Sequence, residues 1–350
     1  MSHLDILVPF ALPGSAMGRD LLRAMETPAL ALLLGRSLPR QHRMQDAFAR
    51  MLPHETWLAL AFGIAVDPTA ACSAPVALHF MQQFHELPGE GNWFLLNPVH
   101  LHIARDHLVL TDRRRLDLSD TESRQLFALA VPLFEENGKA LVYGDATHWF
   151  ARADTWRALK TATPDGSCGH NIDIWMPTGL AERDWRKLLN EVQMQWHASA
   201  INHEREISGK HLVNSLWIWG GAAAPRQDLR SVYSAGFNLP RWLGNLENPG
   251  QPETNTVNAA AVIAANPKNG LLLLDSLLEA ALAEDLGEWL LRMHALERDW
   301  FEPLLQALQG GALQSVRLIL THGTVATEVP VTRNSLRRFW KKPALDGLLE

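Results

Sequence analysis

Apolar residues recur along this chain with two different periods, and the change from one period to the other marks out the elements. The run Asp5-Ile-Leu-Val-Pro-Phe10 is short and almost continuously apolar, which predicts a buried strand, and Pro13-Gly14-Ser15 predicts the turn after it. Residues 17–25, 28–34 and 41–51 carry helical spacing, with Pro28 at a first turn where its missing N–H is harmless. Between residues 93 and 110, Val99, Leu101 and Ile103 alternate with His100 and His102, and an apolar run follows at 108–110, so a half-buried sheet is expected there. Ser119-Asp-Thr-Glu122 has the spacing of a capping box ahead of Leu126, Phe127, Leu129 and Ala130.

Residues 139–143 return to a strand pattern. Trp185, Leu188, Leu189, Val192 and Trp196 recur every three or four positions, the mark of an amphipathic helix between 180 and 200. Ser215-Leu-Trp-Ile-Trp219 is a compact apolar strand stopped by Gly220-Gly221, and 271–274 is another. Residues 277–308 read as helix broken near Pro303, and 316–320 as a last buried strand before Thr321-His322-Gly323. The Asn-, Pro- and Gly-rich stretch 246–256 reads as a loop. Strands and helices alternate at both ends, which favours an α/β fold around a central, mostly parallel sheet flanked by helices.

Composition narrows the function classes. The chain has 350 residues, 47% of them hydrophobic, enough for one large domain or two ordinary ones. A formal net charge of -6 argues against a protein whose task is to neutralise nucleic-acid phosphates. Two cysteines, Cys72 and Cys168, are too few for a disulfide framework or a four-cysteine zinc site and suit a reducing interior. The apolar stretch 6–12 is short, lacks a basic leader and follows Asp5, so it reads as a strand and not a signal peptide; with no run of eighteen apolar residues, a soluble cytoplasmic protein without a membrane role is expected. The thirteen Trp are scattered and read mostly as core.

The segment 201–220 resembles the Asn…Arg…Gly-Lys…Asn…Leu-Trp-Gly stretch of archaeal-type cofactor-independent phosphoglycerate mutases, on Asn202, Arg205, Gly209, Lys210, Asn214, Trp217, Trp219 and Gly220. Ala104-Arg105 through Val109-Leu110-Thr111-Asp112, with Leu116-Asp117, is similar to that family's arginine-bearing strand and hairpin, and Gly63 through Asp67-Pro68 to its Gly-Tyr-Asp-Pro turn. The chain also resembles the RpfE-type regulatory proteins, themselves related to those mutases. The resemblance implies an alkaline-phosphatase-like domain built from residues 1–91 and 207–350, interrupted by a smaller inserted α/β domain over 92–206.

An enzyme of that superfamily holds two divalent metals with about six Asp and His ligands and attacks with a Ser or Thr. Where the resemblance implies a ligand Asp after strand one, this chain has Phe10-Ala11-Leu12, and Asp5 stands at the strand's other end. Where it implies a nucleophile turn, the chain offers Leu52-Pro-His-Glu-Thr56, so only Thr56 could attack. Near the C-terminus, Asp275 and His322 remain as candidate ligands, too few to hold a metal pair.

Other constellations carry alternative readings. His100 and His102 share a strand face near His107, a spacing that suits zinc or a solvated polar face. Arg113-Arg-Arg115, with Arg105, could cradle a phosphorylated ligand or form a solvated hairpin tip. Asn202, Arg205, Lys210 and Asn214 suggest an anion-binding surface, or else residues that cap a helix and fix a hinge. The basic tail 333–342, with Phe339 and Trp340 interleaved, reads as a snorkelling final helix or as a dock for an acidic partner or nucleic acid.

These observations lead to a degenerate phosphoglycerate-mutase-like protein, a pseudoenzyme that needs no cofactor and binds a phosphorylated small molecule or a protein partner in a regulatory role. The alternative is an active metal-dependent phosphoglycerate mutase or phosphatase with rearranged ligands, using Mn or Zn. A third reading is a scaffold that works through its Trp-rich surface or basic tail.

Overall fold

The computed structural model describes residues 2–14, 18–67, 69, 71–85, 91–223, 231–246 and 258–349. Among these, twelve strands follow one another as β1 (His3–Val8), β2 (Gln41–Met44), β3 (Trp93–Val99), β4 (Leu101–Ala104), β5 (His107–Leu110), β6 (Ala140–Asp145), β7 (His148–Arg152), β8 (Ser215–Ala222), β9 (Ala235–Phe237), β10 (Gly270–Leu273), β11 (Ser315–Thr321) and β12 (Val325–Thr332). They form a six-stranded sheet in the order β2-β12-β11-β1-β10-β9, a four-stranded sheet β6-β7-β3-β8, and the β4-β5 hairpin. In the larger sheet β1 runs parallel to β10 and β11, and β10 parallel to β9, whereas β12 lies antiparallel to β11 and to β2. The protein is thus a mixed α/β fold with a central sheet flanked by helices.

The two-residue period of the strands sorts their side chains between cores. Leu4, Ile6 and Val8 of β1, Leu272 of β10 and Val316, Leu318 and Leu320 of β11 face one way, into helices Pro28–Gly35, Leu286–Leu296 and Glu302–Gly310. Leu7, Leu271, Leu273 and Ile319 face the other way, into a second core shared with Trp93 and Leu95 of β3 and Trp217 and Trp219 of β8. Phe94 and Leu96 of β3 turn to a third core, where helices Asp120–Glu136 and Glu182–His197 cover the smaller sheet. Both faces of the central strands are therefore buried, which is why they read as unbroken apolar runs rather than alternating ones. The second core, between the two sheets, opens at one edge into the cleft described below.

Several expectations hold with adjusted ends. Ser119 and Glu122 make the reciprocal capping box that starts helix Asp120–Glu136. The helix expected between 180 and 200 is Glu182–His197 and buries Trp185, Leu188, Leu189, Val192 and Trp196. The break near Pro303 is a π turn at Glu297–Phe301, which ends where the proline, lacking an N–H, begins helix Glu302–Gly310. Glu297 of that turn reaches across to accept from the Ala29 and Leu30 N–H groups (2.5 and 3.1 Å), capping helix Pro28–Gly35.

Other expectations are corrected. The helix expected over 41–51 is instead the edge strand β2 followed by irregular chain; all four β2 residues are exposed, so its extended form is set by pairing with β12 and not by an apolar period. The basic tail forms no helix: Ser335–Arg337 is a single 3₁₀ turn, and Phe339 and Trp340 are 81% and 68% exposed rather than packed. Strand β8, expected as a compact apolar strand, pairs antiparallel with β3 in the smaller sheet. Ser15 of the first turn, Met17, Pro68 and most of the 246–256 loop lie outside the described residues.

Candidate functional site

In an open α/β sheet the crevice beyond the carboxyl ends of parallel strands is where a ligand can meet several loops at once. Here β1 delivers Pro9 and Phe10 to that edge, β10 delivers Asp275, and β11 delivers His322. A cleft opens there, walled by Pro9, Leu273, Asp275 and Leu278 on the large-sheet side. His54, Glu55 and Leu58 come from helix Pro53–Ala61, and Arg113, Arg114, Asp165, Trp219 and Trp242 close the opposite wall.

Phe10 replaces the carboxylate that the resemblance implies at this strand exit. Its backbone adopts φ 56°, uncommon for a bulky residue, and is held by a hydrogen bond from Trp289 Nε1 to the Phe10 carbonyl (2.9 Å) and one from Phe10 N–H to Thr321 Oγ1 (3.3 Å). The ring packs with Leu52 and Leu278 and lies edge-on to both His54 (6.4 Å between centroids) and His322 (5.9 Å).

The polar wall is built on Asp165. Thr163 caps the short helix Pro164–Ser167, placing Asp165 in its first turn beneath Arg113 and Arg114. Arg114 Nη1 lies 3.2 Å from both Asp165 oxygens, and its other side is braced by Asp112 through the backbone N–H (2.9 Å) and Nε (3.2 Å). Arg113 is less committed: its Nε is 3.7 Å from Asp165 and has no hydrogen-bond partner among the described residues, and Nη1 meets His148 Nε2 at 3.3 Å. Burial alone would raise the pKa of Asp165, but Arg113, Arg114 and His54 outweigh it and hold the carboxylate below its ordinary value.

Glu55 and His54 lie behind this ion cluster. Glu55 Oε2 accepts from the Leu52 N–H (2.8 Å), capping its own helix, and from Thr163 Oγ1 (2.7 Å). Burial, reinforced by the charge of Asp165, nevertheless pushes Glu55 up to about 7. Burial also lowers His54 to about 4, with Asp165 opposing and Arg114 assisting, so the imidazole is neutral; its Nδ1 has no hydrogen-bond partner among the described residues. Asp275 stands at the mouth with solvent on one side, while burial on its other side raises its pKa against the pull of Arg114. The cleft thus combines an under-used guanidinium, a neutral imidazole with a spare nitrogen, a carboxyl that titrates near neutrality and two indole walls.

The residues singled out by resemblance are placed elsewhere. Asn202 is buried, donating to the Trp196 and Val213 carbonyls and accepting from the Val213 N–H, each at 2.9 Å. Arg205 is 1% exposed and spends its guanidinium on Glu122 (2.7 Å) and the carbonyls of His211, Leu116 and Asp117. Asn214 pairs with both backbone groups of Leu101 at 2.8 Å, acting as an extra rung beside β4. Lys210 forms an exposed ion pair with Asp117. Asn202 and Arg205 lie inward of the surface and Lys210 on it, and Arg105 sits at φ 60° on the exposed β4-β5 turn. Asn202 and Arg205 thus spend their polar atoms on internal partners, while Asn214 is half-buried against Leu101.

Thr56 lies one residue past Glu55, but its hydroxyl is buried without a partner among the described residues and is not part of the cleft wall. His322 likewise packs on Phe10 and does not join Asp275 in the lining. Among the described residues, no group of three or more His, Cys, Asp or Glu is arranged to hold a metal ion. A pair of divalent metals does not fit this edge, since an aromatic ring separates His54 from His322 and two guanidinium groups already neutralise Asp165. His100 and His102 stack at 6.2 Å with His211 beside them, while His107 turns to Asp106; they bond to Leu212, Thr111 and Asp106 oxygens.

Sequence reasoning missed the assembly of Glu55, His54, Asp165 and the arginines. Pro164-Asp165-Gly166 has the composition of a solvent-exposed turn, and nothing local reveals that it is buried beneath two arginines fifty residues earlier.

No family model matches the chain, and a search of curated proteins returns no match. Similar solved structures include the PH0037 protein from Pyrococcus horikoshii, 13% identical, covering 95% of this chain and 87% of that one with a TM-score of 0.52; that likeness is one of fold. Another is a cofactor-independent phosphoglycerate mutase from Thermoplasma acidophilum DSM 1728, 13% identical, covering 100% of this chain and 94% of that one with a TM-score of 0.47.

Proposed function

We propose that the protein is a degenerate, phosphoglycerate-mutase-like member of the alkaline-phosphatase superfamily that has given up metal-dependent catalysis and binds an anionic, phosphorylated small molecule in a regulatory role. The observation that carries this reading is the Phe10 ring lodged between His54 and His322 at the strand exit, where a two-metal enzyme needs a carboxylate. Beside it, fixed guanidinium charge takes over the neutralising role that a cation would have. Arg113 and His54, both in the cleft lining, offer the ligand a charged and a neutral side chain, and Trp219 and Trp242 offer flat apolar walls. In this reading the inserted α/β unit supplies the arginine wall and the residue resemblance over 201–220 reflects retained scaffold. Nothing in the reading requires a membrane or nucleic acid, and it places the protein in the cytoplasm.

Elemental analysis of the purified protein, run with a manganese-supplemented phosphoglycerate and phosphomonoester assay and a thermal-shift panel of phosphorylated metabolites, tests it. The expected result is substoichiometric metal, no manganese-dependent turnover, and a ligand-induced rise in melting temperature that is lost in Arg113→Ala. Stoichiometric Mn or Zn with turnover abolished by Asp275→Asn or His322→Ala overturns it in favour of an active enzyme with rearranged ligands.

A further inference from the structure

The C-terminal segment joins unpaired charge to exposed aromatic surface in a way that the cleft does not use. Arg333, Arg337, Arg338, Lys341 and Lys342 fall within a stretch that holds no acidic residue, and among the described residues none of them forms an ion pair. Arg36 adds a sixth cation from below: it donates to the Leu336 carbonyl (2.7 Å) and is likewise without an acidic partner. Between these charges Phe339 and Trp340 stand 81% and 68% exposed, packed edge-to-face on each other at 5.3 Å. The segment is anchored to the fold, since Ala344 N–H bonds to Ala31 O (3.1 Å) and Ser335 exchanges hydrogen bonds with Thr332.

Two adjacent large aromatics held in water, ringed by unpaired guanidinium and ammonium groups, have the composition of an interaction hot spot. We propose that this segment is a docking surface for a short acidic segment of another protein, with Glu or Asp flanking apolar side chains. The apolar groups would cover the Phe339–Trp340 pair, and the carboxylates would meet Arg337, Arg338, Lys341 and Lys342. Whole-molecule charge decides between this partner and an extended polyanion. The chain carries -6 overall, so with the cations concentrated here the rest of the molecule is more negative still. A membrane plane or a nucleic-acid duplex extends well beyond the patch and would meet a molecule of net negative charge, whereas a short peptide meets only the basic patch within a Debye length of about 8 Å.

The test uses the full chain and a fluorescein-labelled peptide of alternating Glu-Glu and Leu-Phe pairs, read by fluorescence anisotropy. Polyglutamate, phosphatidylserine–phosphatidylcholine vesicles and a single-stranded oligonucleotide serve as further probes. Expected are saturable peptide binding near ~10 μM, weaker binding to polyglutamate, and none to vesicles or oligonucleotide. Phe339→Ala/Trp340→Ala and Arg337→Glu/Lys341→Glu should each weaken the peptide at least about tenfold with unchanged melting temperature, as befits exposed positions. Equal binding by both variants, no peptide binding, or tighter binding to vesicles or oligonucleotide overturns the proposal.

Discussion

At the scale of single residues, Glu55 and His54 make opposite demands on pH. Glu55 keeps its proton in the folded state up to about 7 but releases it near 4.5 when unfolded, so over that window the folded form holds more protons and stability falls as pH rises. His54 resists protonation down to about 4 whereas the unfolded imidazole takes a proton near 6.5, so stability falls as pH drops through that window. Between 4.5 and 6.5 the two slopes oppose each other. Urea unfolding of Glu55→Gln should therefore reveal the histidine alone, with stability climbing by up to about 1.4 kcal/mol per pH unit, and His54→Asn should reveal the opposite slope. Identical pH profiles for all three proteins would place the titration elsewhere. Arg205 and Lys210 offer a second contrast, because both lie in the stretch that resembles the mutases yet differ in burial. Arg205→Ala leaves Glu122 and three carbonyls without their donor and should cost about 3 kcal/mol, while Lys210→Ala, losing an exposed pair, should cost under about 0.5 kcal/mol in the same denaturation experiment.

At the scale of elements, legibility in the sequence follows from whether an element's own residues carry the reason for its conformation. Helix Asp120–Glu136 is legible because its cap lies in four consecutive residues, and Ser119→Ala should cost about 1 kcal/mol in chemical denaturation without changing the fold. Helix Glu182–His197 is legible because its apolar stripe is local. Strand β12 is not, for Thr327 and Glu328 are polar yet buried: Thr327 meets His42, and Glu328 meets Trp57 Nε1 and Arg317. Strand β2 carries no apolar residue toward a core and exists only as the partner of β12. The tail misled for a related reason. Its alternation of basic and aromatic residues resembles an amphipathic face, but Phe339 and Trp340 pack on each other and stay largely exposed.

At the scale of the whole molecule, the large-sheet edge is visible in the sequence, since the apolar strands that deliver Phe10 and His322 to it read as buried runs. The other wall is not, because Arg114 meets Asp165 across fifty-one residues and Glu55 meets Thr163 across one hundred and eight, contacts that only the packing of the two sheets creates. Asp165 is the point where these walls join, so removing its charge tests the cleft as a unit. Asp165→Asn leaves Arg113 and Arg114 poorly compensated and should cost roughly 3 kcal/mol, at the low end for a broken buried pair because both arginines keep some solvent contact. An anion entering the cleft would then stand in for the lost carboxylate. Inorganic phosphate at millimolar concentration should raise the melting temperature of Asp165→Asn by several degrees more than that of the unaltered protein. The double variant Asp165→Asn/Arg113→Ala should lose most of that gain, because it removes one of the two guanidinium groups that line the cleft and would face the anion. An equal phosphate response in all three proteins would mean that the arginines serve only to hold the walls together.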